Sequence, residues 1–109
     1  EEKIPEKEAL EWGKKYIKEV EKKYSSTQAN LLRNKSNILN PKKGVHYLIK
    51  GLHIDIVKTL MDKKFLILEH GVTYDDGTGI YYIRQSLFNK NYIGKIWFKN
   101  NYITSWVQY

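Results

Sequence analysis

The last third of the chain, TGIYYIRQSLFNKNYIGKIWFKNNYITSWVQY from Thr78 to Tyr109, constrains the fold more than any other stretch. Aromatic and β-branched residues alternate there with polar ones, and Asn/Lys-rich breaks divide the run into strands over roughly 79–86, 92–99 and 101–108. The connections are short, so neighbouring strands must pair antiparallel. Period-two alternation puts Tyr82 with Arg84, Lys95 with Trp97, and Thr104 with Trp106 on shared faces. On the final strand Tyr102 joins Thr104 and Trp106, while Ile103 and Val107 take the core side. A sheet face carrying Arg, Lys, Trp and a hydroxyl can serve as a nucleic-acid platform, with Arg84 and Lys95 on phosphate and Trp106 stacking on a base.

Upstream of this stretch the pattern turns helical. Pro5 to Tyr24 reads as an amphipathic helix, with proline in its first turn, glutamates early and lysines late, as the helix dipole prefers. Leu10, Ile17 and Val20 form its apolar stripe, flanked by Trp12 and Tyr16, and Gly13 weakens it. Thr27 can cap a second helix running to Leu39, which Asn40-Pro41 ends. Gly44 to Met61 admits two readings. Helical spacing joins Val45, Leu48, Ile49, Leu52 and Ile56, with Lys43, His46, Lys50 and His53 opposite; Gly51 and the β-branched residues also allow an extended start before a shorter helix from Asp55 to Met61. Phe65 to Leu68 is a first strand ending in Glu69-His70-Gly71, and Asp75-Asp76-Gly77 makes a turn.

Helices first and a four-stranded antiparallel meander last predict an α+β domain, with the N-terminal helices packed on one face of the C-terminal sheet. At 109 residues the chain has the size of a single domain spanning 1–109. It holds no cysteine, which excludes disulfides and thiolate zinc sites. No apolar run approaches the roughly 18 residues that would cross a bilayer, so no membrane partner is expected of this domain. The chain starts Glu-Glu-Lys without a methionine, as the C-terminal piece of a larger protein would.

Charge narrows the partner. The formal net charge is +7, and it is uneven: residues 1 to 24 hold seven Lys against seven Glu, leaving twelve Lys/Arg against five Asp/Glu in the remainder. A basic body favours a polyanion, nucleic acid above all.

His46 and His53, among Lys42, Lys43 and Lys50, are the strongest chemical feature. Cleaving RNA through its own 2′-hydroxyl needs a base and an acid that titrate near neutrality, and cations to steady the phosphorane; His and Lys supply both without a metal. No metal or other cofactor is expected: Asp75 and Asp76 belong to a turn, and no carboxylate but Asp55 stands at a ligand offset from the two histidines. His70, at the end of a strand beside Glu69, reads as structural. Gly79-Ile80-Tyr81 and Tyr92-Ile93-Gly94 match the signature triplets of the GIY-YIG nucleases, but only fifteen residues follow Gly94 and none is Arg, Glu or Asp. The catalytic centre of that family cannot be built, so the triplets are strand composition.

Gly71, Thr73 and Tyr74, then Ile80 to Tyr82, then Asn101, Tyr102, Ile103, Thr104 and Trp106 follow an order that resembles the colicin D type of bacterial tRNase toxin. It also resembles the wider Barnase/EndoU/Colicin/RelE arrangement shared by contact-dependent growth inhibition toxins. The resemblance implies metal-independent endoribonuclease cleavage of tRNA in its anticodon loop. It implies Thr104 where the family has serine, Trp106 where it has tryptophan, and His46 as the histidine, preceded by Lys42 and Lys43. Val45 stands where the family has lysine, and His53 is the rival acid/base. Lys42, Lys43 and Lys50 would act on the scissile phosphate. The resemblance further implies a domain secreted or delivered from a cell surface, acting in the target-cell cytoplasm, and held inactive by an acidic immunity protein. Two other readings remain: a non-catalytic basic RNA- or DNA-binding module, and an interaction domain whose charge is incidental.

Overall fold

A computed structural model of the chain describes residues 4–33, 50–85, 88 and 91–109. Three helices, α1 (Glu6–Lys23), α2 (Ser26–Arg33) and α3 (Ile54–Lys63), precede four strands, β1 (Ile67–Thr73), β2 (Thr78–Arg84), β3 (Tyr92–Lys99) and β4 (Tyr102–Gln108). The sheet order β1-β2-β3-β4 is an antiparallel meander, so the α+β class and the strand order are as expected. The chain divides into two compact units, Glu1–Tyr47 and Leu48–Tyr109.

In the first unit, Glu6 and Glu8 open α1 and Lys22 and Lys23 close it, matching the helix dipole. Its buried line is Ala9, Gly13 and Val20, so the glycine expected to weaken the helix lies on the packed stripe. Trp12 and Tyr16, one turn apart, stack with ring centroids 4.7 Å apart. The cap of α2 is Ser25, not Thr27: Ser25 Oγ accepts from Gln28 N at 3.2 Å, and Thr27 lies inside the helix. Gln28, Ala29 and Leu32 are its buried residues, and Arg33 pairs with Glu21 of α1. The expected continuation to Leu39 lies outside the described residues.

In the second unit the chain reaches α3 through an extended segment, the second of the two readings. Gly51 N donates to Ile103 O at 2.8 Å, Ile103 N to Leu52 O at 2.9 Å, and Ile54 N to Asn101 O at 2.8 Å, so residues 51–54 border the start of β4. From there α3 crosses to pack along β1. Ile54, Ile56, Val57, Leu60 and Met61 of α3 are buried, as are Leu66, Ile83, Ile96, Phe98 and Ile103. Fully burying one such side chain stabilises the fold by about 1.5–3 kcal/mol.

Strand β1 runs past its expected end. Glu69, His70 and Gly71 lie within it, and the register slips at Gly71, a bulge between the pairs His70↔Tyr81 and Val72↔Ile80. A methyl on Gly71 would meet the Tyr82 ring at 2.7 Å. The turn to β2 closes through Tyr74 N to Thr78 O at 2.7 Å, with Gly77 at φ 87°. Asp76 Oδ1 accepts from Thr78 N at 3.0 Å and Thr78 Oγ1 at 2.6 Å, and these bonds hold its carboxyl below the usual carboxylate range. The aspartates thus do the work of a turn. Asn100 and Asn101 join β3 to β4 with φ of 51° and 73°, the left-handed pair a two-residue hairpin demands and that asparagine tolerates.

Candidate nucleic-acid interface on the open sheet face

Cross-strand pairing assigns each side chain to a face, because directly opposed residues share one. One face holds Ile83, Gly94, Ile96, Phe98 and Ile103, all buried. The other holds Glu69, Thr78, Ile80, Tyr82, Arg84, Tyr92, Lys95, Trp97, Lys99, Tyr102, Ser105 and Val107, every one half-buried or exposed. This second, open face gathers the chemistry.

Tyr82 lies opposite Lys95 and Ile80 opposite Trp97. Lys95 Nζ stands 4.9 Å from the Trp97 ring centroid and 5.9 Å from that of Tyr82, a cation held by two aromatic rings. No carboxylate lies within ion-pair distance of Lys95 among the described residues. Tyr92 continues the row, its ring 4.9 Å from that of Tyr82.

Arg84 differs from Lys95 in having an anion at hand. Its Nη1 donates to Glu69 Oε1 at 2.7 Å, while Tyr92 Oη donates to Glu69 Oε2 at 2.5 Å. The Tyr92 bond foremost, then Arg84, holds the Glu69 carboxyl below its ordinary range, and the same bond pushes the Tyr92 hydroxyl up. A phosphate approaching Arg84 meets a guanidinium already paired with a carboxylate. Glu69 and Tyr92 were not legible as partners, since Glu69 was expected to end a strand rather than to face across it.

His53 borders the same face. It bridges Tyr102 in backbone pairing, and the two rings meet edge-on at 5.1 Å. Nδ1 accepts from Asp55 N at 3.1 Å, which makes His53 the N-cap of α3. That acceptance puts the neutral ring's proton on Nε2. Asp55 Oδ2 lies 3.7 Å from Nδ1. A histidine cap has no common sequence signal, which is why the role was missed.

The end of β4 departs from the expected alternation. Phe98 pairs with Ile103 and Trp97 with Ser105, so Thr104 is an extra residue, a bulge that re-aims the rest of the strand. Counting from Ile103, Thr104 falls on the open face with Tyr102, and Ser105 joins it there. Trp106 opposes Ile96 and Val107 opposes Lys95. The expected Thr104–Trp106 pairing on one face is therefore corrected: Trp106, 41% exposed, is on the α3 side, and Val107 is on the open side. His70 is also on the α3 side, beside Tyr81 at 5.2 Å, with Nε2 2.7 Å from Thr73 Oγ1. Burial first, then the Asp55 charge, raises the Tyr81 hydroxyl.

Of the sequence-predicted site residues, His53, Thr104, Lys95 and Arg84 share the open face; Lys50 is exposed in the turn before His53. His46, Lys42 and Lys43 lie outside the described residues. No group of three His, Asp or Glu able to hold a metal occurs among the described residues, and none of their helices is long and apolar enough to cross a membrane. Compared with protein families, curated proteins and solved structures, the chain matches none.

Proposed function

We propose that this chain is a toxin-type ribonuclease that cuts tRNA in its anticodon loop by metal-independent transesterification. What supports the reading is one observation: a proton-transfer group (His53), a hydroxyl (Thr104) and a cation with no carboxylate at ion-pair distance among the described residues (Lys95) share an open, aromatic sheet face of a basic chain.

In the proposed reaction the 2′-oxygen attacks the adjacent phosphorus as a base takes its proton, and the bond from phosphorus to the 5′-oxygen breaks as an acid protonates the leaving oxygen. While Nδ1 of His53 accepts the Asp55 N–H bond, the ring is neutral and its Nε2–H only donates a hydrogen bond. To act as the acid His53 must be the imidazolium, with Nδ1 protonated and the cap bond given up; it then passes the Nε2 proton to the leaving oxygen, with His46 as the base. Lys42, Lys43 and Lys50 steady the phosphorane, Lys95 binds a flanking phosphate while Arg84 stays paired with Glu69, and Thr104 donates to a phosphate oxygen. Trp106 opposes Ile96 on the α3 side, so it does not stack a base bound on the open face. An acidic immunity protein is the expected inhibitor, and the toxin's place of action is the cytoplasm of a target cell.

The test is total tRNA incubated with the protein in EDTA, alongside His46→Ala and His53→Asn. Asparagine still caps a helix but cannot transfer a proton. Cleavage by the parent, and a loss of about 100-fold or more in each variant, is expected; uncut tRNA, or full cleavage by both variants, contradicts it. A second reading, a non-catalytic RNA-binding module, is favoured by the structural employment of His53 as a cap, and predicts salt-sensitive binding without scission.

A further inference from the structure

We propose that the open face binds an unpaired RNA strand by stacking bases on Trp97, Tyr82 and Tyr92, with Lys95 holding a phosphate between them. The choice of RNA rests on the ribonuclease reading; the face and its mode of binding do not depend on cleavage.

Three features carry it. The rings run in a continuous row over β3 and β2, Trp97 and Tyr82 on either side of one ammonium and Tyr92 beyond. Partly exposed rings on a sheet surface are a sequence-tolerant platform, since every base has a π-face to offer. Lys95, the cation within the row, has no carboxylate at ion-pair distance among the described residues, whereas Arg84 at its margin is paired with Glu69. An incoming phosphate therefore meets Lys95 without displacing a protein anion. A duplex buries its base faces in its own stack and shows this surface only groove edges and backbone, so the row selects unpaired nucleotides. The stacking tryptophan is then Trp97, with Trp106 on the opposite face.

The experiment is fluorescence anisotropy with a short labelled RNA, single-stranded or paired with its complement, titrated with His53→Asn protein in EDTA over a salt series. Single-stranded RNA should bind at least about tenfold more tightly than the duplex. Trp97→Leu and Tyr82→Leu, which keep apolar bulk, should each weaken it about tenfold. Lys95→Gln should lower the salt slope by about 0.7. If either leucine variant melts early, Tyr92→Leu replaces it, since Tyr92 is 41% exposed. Duplex binding as tight as single-strand binding, or leucine variants that melt and bind like the parent, would overturn the proposal, as would binding of an acidic protein alone. Tight single-strand binding with uncut tRNA removes the ribonuclease and keeps the surface; cut tRNA with unaffected leucine variants does the reverse.

Discussion

His53 is where structure and chemistry compete for one side chain. Its Nδ1 caps α3, and its ring lies against Tyr102 at the rim of the open face. His53→Ala should lower stability by about 1 kcal/mol through the lost cap, whereas His53→Asn should melt near the parent and still fail to cleave; thermal melts beside tRNA gels separate the roles. Glu69 gives a second residue-scale prediction. Its folded pKa is depressed, so its contribution to stability is complete above the unfolded-chain value and is lost as pH falls through the folded one. Below about pH 4 the parent's melting temperature should fall more steeply than that of Glu69→Gln, and superimposable curves would contradict the bond network.

Among the elements, the hairpin from β3 to β4 was the most legible. Its two asparagines announced a tight turn, and both adopt positive φ. Asn101→Val should cost about 1–2 kcal/mol, since a β-branched residue resists that region, while Asn101→Gly should be tolerated; denaturant melts of both check it. The bulges were not legible. Alternation assumes two residues per repeat, and one extra residue at Thr104 reverses every face after it, which moved Trp106 to the α3 side and Val107 to the open side. Gly71 likewise hid the second half of β1 behind what looked like a strand end. The extended entry to α3 was half legible: Gly51 and the β-branched residues suggested it, but the pairing of His53 with Tyr102 spans the whole sheet in sequence and leaves no local trace.

At the scale of the molecule, charge and fold point the same way. The first 24 residues sum to zero, residues 25–47 hold four Lys/Arg and no acid, and residues 48–109, which include the sheet, hold eight Lys/Arg against five Asp/Glu, so the excess charge lies beyond α1. Salt dependence of RNA binding should therefore be unchanged by Lys14→Glu with Lys18→Glu in α1, but weakened by Lys95→Gln, read as the slope of log affinity against log salt. The α+β class and strand order followed from periodicity; which cations remain available for phosphate did not, because Glu69 reaches Arg84 only through the β1–β2 register. The central claim is transesterification on RNA, and the ends of the cut strand test it most directly. Attack by the 2′-hydroxyl predicts a 2′,3′-cyclic phosphate and a 5′-hydroxyl on tRNA cut in EDTA; a 3′-hydroxyl with a 5′-phosphate, or uncut tRNA, would contradict it.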